Sequence, residues 1–210
     1  VSEGSAGRKR GRYAATALKR EGILAAARAV FEREGLEGAS LRAIAAEAGY
    51  TPAALYFHFD SKETLYAEVL GASIARLRAA VDAAVASAGN PEARLQAAAL
   101  AFFDFYAGNP RDLDLGFYLF RGGMRPHGLG RERDRTLNEA LEASLAPIRA
   151  AALALGADDD EAETVMADAF AHASGVLLLA HTRRIRMFGT APRALMERHV
   201  AAALDRLQRR

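Results

Sequence analysis

Ser40 to Lys62 reads SLRAIAAEAGYTPAALYFHFDSK, two short helical patterns joined by a glycine-centred turn, with a capping residue before each. Leu41, Ile44, Ala45 and Ala48 recur at i, i+3, i+4 and i+7, which makes one apolar stripe on a helix that Ser40 can cap. Gly49 is free to take positive φ and end that helix. Thr51 is a ready N-cap for the second piece, and Pro52 falls at the first helical position, where its missing N–H costs nothing. A helix of about two turns is not stable alone, so packing through Leu55 and Phe59 must hold it. That leaves Thr51, Ala53, Tyr56 and His58 for another surface, and a helix presented this way fits a DNA major groove.

Outward from this stretch, composition sets bounds. The chain has 210 residues and no cysteine, enough for one sizeable helical core or two small ones without disulfides. The longest apolar stretch, Gly175 to Ala180, is too short to span a bilayer, and the N-terminus lacks an apolar signal core, so the expectation is a cytoplasmic protein with no membrane partner. Net charge is only +2, yet residues 1–20 hold six Lys or Arg against one acid, so the basic character is local. Hydrophobic periods of three to four residues recur along nearly the whole chain, with no alternating β segment and no fixed repeat. The fold class is all-α.

The pattern predicts about nine helices. Residues 1–17, rich in Gly, Ser and Arg, read as a flexible basic tail. A first helix from Leu18 to Glu34 turns Ile23, Ala27, Val30 and Phe31 inward and ends at Gly35. Asp60 or Ser61 opens a long helix to Ala88, with Glu63 placed to complete a capping box from Asp60. After Gly89-Asn90-Pro91, a helix carries Leu95, Ala99, Phe102, Phe103 and Tyr106 on one stripe. Asn109 and Pro110 open a short helix, and Gly122 to Gly130 is loop. Arg131 to Leu155 forms a helix bent at Pro147. Asp158 or Asp159 opens another, ending near Met187, and a last helix after Thr190 bears Met196, Val200, Leu204 and Leu207.

The phrase Ala39-Ser40-Leu41-Arg42-Ala43-Ile44-Ala45, then Ala48-Gly49-Tyr50-Thr51, then Leu55-Tyr56-Phe57-His58-Phe59 and Ser61-Lys62-Glu63 resembles the TetR family of one-component transcriptional regulators. The resemblance covers about Leu18 to Leu70. It implies an N-terminal three-helix DNA-binding domain with a helix-turn-helix, residues 18–63, and a larger helical ligand-binding and dimerisation domain, residues 64–210. It also implies a homodimer on a palindromic double-stranded DNA operator, released by a small-molecule effector. Carried over by position, Ser40 and Arg42 would meet DNA from the second helix, Tyr50 and Thr51 from the turn, and Pro52, Ala53, Tyr56 and His58 from the third. Lys62 would hold a phosphate. The chain departs from the pattern in offering only Pro52-Ala53-Ala54 at the base-facing start, without amide or guanidinium. Readout then leans on Arg42, whose fork matches two acceptors on guanine, on Tyr50, on thymine-methyl contacts and on DNA shape. The alternative for Arg42 is a surface ion pair with a nearby Glu, and for His58 a fastening of helix to core.

Arg8, Lys9, Arg10 and Arg12 read as an arm that could follow phosphates. Phe102, Phe103, Phe105, Tyr106, Phe117, Tyr118 and Phe120 are more aromatic residues than one helix face can bury. With Met124, Met166, Phe170 and His172 they are read as a cavity for a small apolar or amphipathic effector, against the plainer reading of core packing. Arg121, Arg125 and His127 could admit an anionic one. Asp168 and His172 stand at i and i+4, but two ligands do not make a metal site, so no metal and no cofactor is expected. No catalytic residues converge, so the chain is not read as an enzyme. The last two helices should build the homodimer interface. The other reading is a helical small-molecule binding protein without DNA function.

Overall fold

A computed structural model describes residues 3–116 and 128–209, with the side chains of residues 3–17 outside that description. Every regular element among the described residues is helical: α1 (Glu3–Gly38), α2 (Leu41–Glu47), α3 (Pro52–Tyr56), α4 (Lys62–Ala86), α5 (Pro91–Gly108), α6 (Pro110–Gly116), α7 (Arg131–Ala154), α8 (Asp159–His181) and α9 (Pro192–Gln208), with a 3-10 turn at Arg184–Phe188. The caps expected at Ser40, Thr51 and Asp158 form, and Asn90 adds one at α5, whereas Asn109, read as the cap of α6, turns its side-chain amide back to donate to the Phe105 carbonyl at 2.7 Å. Side chains of Ser40, Thr51, Asn90 and Asp158 each accept the N–H three residues on, satisfying donors that a helix start leaves orphaned.

Three differences from the sequence reading have local causes. The backbone is helical from Glu3, not from Leu18, because Ala14, Ala15, Ala17 and their Lys and Arg neighbours favour helix more than the glycines before them oppose it. The break at Gly35 holds, with φ 70° and ψ 177°. The long helix α4 is opened by Ser61, whose Oγ accepts from Thr64 N–H at 3.1 Å, and Asp60 accepts from the Thr64 hydroxyl, so Thr64 takes the place expected of Glu63. Finally, α8 stops at His181 and does not run to Met187. Thr182 bonds back to the Leu178 carbonyl at 2.7 Å, and Arg183 turns to φ 60°, a left-handed conformation that ends a helix.

The chain divides into two compact units, residues 1–71 with 114–134, and residues 72–113 with 135–210; the divisions fall inside α4, α6 and α7. In the first unit, Ile23, Ala27, Val30 and Phe31 of α1 form a core with Leu41, Ile44 and Ala45 of α2, Leu55, Phe59, and Leu65 and Tyr66 of α4. Phe31 meets Tyr66 edge-on with centroids 4.8 Å apart, and the Tyr66 hydroxyl donates to the Leu115 carbonyl at 2.9 Å.

In the second unit, α5, α8 and α9 pack on one another around Leu95, Phe102, Phe103, Leu177, Met196 and Val200. Buried Asp112 on α6 accepts from Ser73 and Arg76 of α4, each at 2.5 Å. By length and composition α8 could cross a membrane. Its seven buried side chains, Ala162 to Leu177, make it the core helix of this unit.

Candidate nucleic-acid interface

The first unit presents α3 outward. Its five residues make only one turn and a half, and of them Leu55 alone is fully buried, with Phe59 just beyond the helix as the second anchor. Two anchors four residues apart fix one side of so short a helix to the core and leave the other in solvent. Thr51, Pro52, Ala53, Tyr56 and His58 are all exposed, Tyr56 at 59%. The fastening role weighed for His58 belongs to Phe59: His58 is exposed, edge-on to Phe57 at 5.4 Å.

Ser40 and Thr51 use their oxygens as caps, at 3.1 and 3.3 Å from the Ala43 and Ala54 nitrogens, which leaves each hydroxyl proton free to donate outward. Arg42 is exposed and forms no hydrogen bond or ion pair with any described residue. Glu47, the carboxylate nearest it along α2, is engaged with Arg33 at 3.4 Å. Tyr50 is half-buried, its N–H held by the Ala45 carbonyl at 2.8 Å. Caps, turn and outward side chains thus lie on one continuous stretch, 40–58, with a free guanidinium.

Lys62 does something the sequence did not suggest. Its ammonium donates to the carbonyls of Leu36 at 3.0 Å and Glu37 at 3.3 Å, closing the C-terminal end of α1 over the start of α4. A cation suits the negative end of a helix. Only one of its three N–H groups remains for a phosphate. Phe57, passed over as a site residue, is the most solvent-exposed large apolar side chain described, at 87%. The signal was available: two buried anchors four apart cannot also bury the residue midway between them. Exposed Asp60 has its pKa lowered by the Thr64 hydrogen bond and by Arg133.

The residues read as an effector cavity divide. Phe102, Tyr106 and Phe170 come together, with Phe102 edge-on to Tyr106 at 5.2 Å and to Phe170 at 5.8 Å. Phe103 and Met166 are also buried in that unit. Burial, with Asp112 adding to it, pushes the Tyr106 phenol up to about 12, so it stays a neutral donor at any ordinary pH. His172 does not join them. It stacks on His199 of α9 at 4.2 Å and 8°, and its Nε2 lies 3.3 Å from the Leu195 carbonyl. Phe117, Tyr118, Phe120 and Met124 lie outside the described residues, as do Arg121, Arg125 and His127. Asp168 faces Arg206 at 3.9 Å, and among the described residues no three His, Cys, Asp or Glu gather as a metal would need.

This geometry defines a helix-turn-helix domain of the DNA-binding kind at the head of an all-helical chain. Residues 23–69 match the family of bacterial regulatory proteins described as tetR. "HTH-type transcriptional activator FasR" of Mycolicibacterium smegmatis is 37% identical over 99 residues, which is 47% of this chain and 45% of that protein, so the chain matches less than half the length of this relative. In fold, the chain is similar to a tetR-family regulatory protein from Rhodococcus RHA1, with a TM-score of 0.64 and 22% identity over 89% of this chain and 95% of that one. It is similar also to FadR of Bacillus subtilis, solved with stearoyl-CoA, with a TM-score of 0.67 and 15% identity over 88% and 97%. Residues 23–69 thus match the tetR family in sequence, and the described chain resembles solved tetR-family regulators in fold.

Proposed function

We propose that this protein is a ligand-responsive transcriptional regulator, binding a palindromic operator as a homodimer and released from it by a small apolar or amphipathic effector. The observation that carries the reading is the outward face of α3, held by Leu55 and Phe59, together with an exposed Arg42 on α2 that no described residue pairs. Arg42 supplies the guanine fork, Tyr50 and Ala53 apolar and hydroxyl contacts in the groove, and Ser40, Thr51, Pro52, Tyr56, His58 and the remaining donor of Lys62 position the helix against phosphates and sugar edges. One helix of five residues reads too little sequence to be specific, so two copies one DNA turn apart are required. Helices α8 and α9 form the dimer contact in this reading. The N-terminal arginines add sequence-independent affinity.

The aromatic group Phe102, Tyr106 and Phe170, with Phe103, Met166 and the segment bearing Phe117, Tyr118, Phe120 and Met124, is the effector site, its neutral phenol a hydrogen-bond donor for a polar head. An effector needs only a preference between two arrangements of the dimer to change operator affinity. Repression follows from occupancy of a promoter alone. Activation is the second reading, favoured by the name of the FasR relative.

Selection of bound duplexes from a random DNA pool tests the proposal. The expected product is a palindrome, depleted when selection is repeated with stearoyl-CoA or a metabolite extract, and a reporter downstream of it gives the sign of regulation. A chain that enriches no sequence, yet binds an apolar ligand tightly, is the DNA-free ligand carrier instead.

A further inference from the structure

The turn that joins α3 to α4 is gripped from a distant part of the chain. Arg133, in the first turn of α7, donates through Nη2 to the Thr64 hydroxyl at 2.7 Å and lies 3.8 Å from the Asp60 carboxylate. The Thr64 hydroxyl passes its own proton to Asp60 Oδ1 and lies 3.1 Å from Ser61 Oγ, which accepts the Thr64 N–H. A hydroxyl has one proton and two lone pairs, and here Thr64 gives the proton to Asp60 and accepts from Arg133 and Ser61, so every capacity is used. The arginine is braced in turn. Its Nη1 reaches the Leu129 carbonyl at 3.3 Å, while Asp134 accepts the Leu129 N–H at 2.9 Å. A Cβ at Gly128 would run into that Asp134 carboxylate, so the approach to α7 is tight.

We propose that Arg133 is a positioning residue for DNA binding: it fixes the Asp60–Thr64 turn, and with it the pitch of α3, from the first turn of α7. Thr64 lies eight residues past Tyr56, with the core anchor Phe59 between them, so whatever sets the turn sets how far the exposed face of α3 leans from the first unit. Along the chain, α7 continues past this grip into the second unit from Arg135 onward. It is therefore a path, besides α4, by which a ligand-induced change reaches the reading helix. The inference rests on the DNA-binding reading above and adds to it a residue remote from the duplex.

The test uses the full chain and the palindrome it selects. Arg133→Ala and Thr64→Val should each weaken operator binding about five-fold, the effect of one ordinary hydrogen bond felt through the turn. The double variant should lose less than the sum of the two single ones, because both break the Arg133–Thr64 bond. Arg133→Lys, which keeps a donor and the charge, should recover part of the loss. The slope of log affinity against log salt should stay at the parent value, since no phosphate contact is removed. Unchanged affinity in both variants, additive losses, or a slope shallower by about 0.9 in Arg133→Ala, the mark of a direct phosphate contact, overturns the proposal. Thr64→Val keeps the shape of the side chain, so it still answers if Arg133→Ala folds poorly. If the parent chain selects no DNA at all, the DNA-binding reading has failed, and that result is distinct from parent and variants binding alike.

Discussion

Lys62 Nζ stands 3.0 Å from the Leu36 carbonyl oxygen, a bond across 26 residues that ties the start of α4 to the end of α1. A residue that sequence alone assigns to a phosphate is therefore first a brace inside the domain. Lys62→Ala should lower the stability of the first unit by about 1 kcal/mol, as a net loss of charge-assisted bonds to backbone, and weaken DNA of every sequence alike. Urea unfolding of the free protein checks the first half. A midpoint equal to the parent's leaves only the phosphate role.

Arg42 is the opposite case. It is exposed and forms no hydrogen bond or ion pair with any described residue, so Arg42→Ala should leave the unfolding midpoint within error of the parent. Operator binding should fall by about 1–3 kcal/mol, with preference relaxed at one base position in each half-site. Repeat selection with the variant reads this directly.

Asp112 is buried in the second unit and holds Ser73 and Arg76, so Asp112→Ala leaves a hydroxyl and a guanidinium without their acceptor. The guanidinium is half exposed, which lets water take up part of the loss. The expected cost is about 2 kcal/mol, below the range for breaking a fully buried pair, and differential denaturation against the parent measures it.

The His172–His199 stack predicts a pH response. Burial, joined by the charges of His172 and Arg206 and opposed by Asp168, holds the His199 pKa below its ordinary 6.5. The folded chain then binds fewer protons here than the unfolded one as pH falls through 6.5, so stability is full above that pH and declines below it. Thermal midpoints should be level between about pH 7 and 8 and fall toward about pH 5, and His199→Asn should flatten that fall. A parent profile that rises toward acid contradicts the assignment.

Local features of this chain were legible because their causes are local. Ser40, Thr51 and Asp158 cap helices through a bond three residues away, and Leu55 and Phe59 sit at helical spacing. The end of α8 was not legible, since nothing in Thr182-Arg183-Arg184 requires the left-handed turn at Arg183. The partners of Lys62 and Arg133 lie 26 and 69 residues away, and a side chain with several donors does not announce which carbonyl or hydroxyl it will meet. For the aromatic residues of α5 the letters are equally suited to core and to cavity. The structure buries Phe102, Phe103 and Tyr106 and separates His172 from them, a division that spacing along α8 alone leaves open.

The most direct test of the central claim, that two copies of α3 lie in successive major grooves, is methylation interference at guanine N7 on the selected duplex. The account predicts two clusters of interference about ten base pairs apart and related by a dyad, each weakened in the Arg42→Ala complex. A single cluster, or binding indifferent to methylation in the major groove, would contradict it.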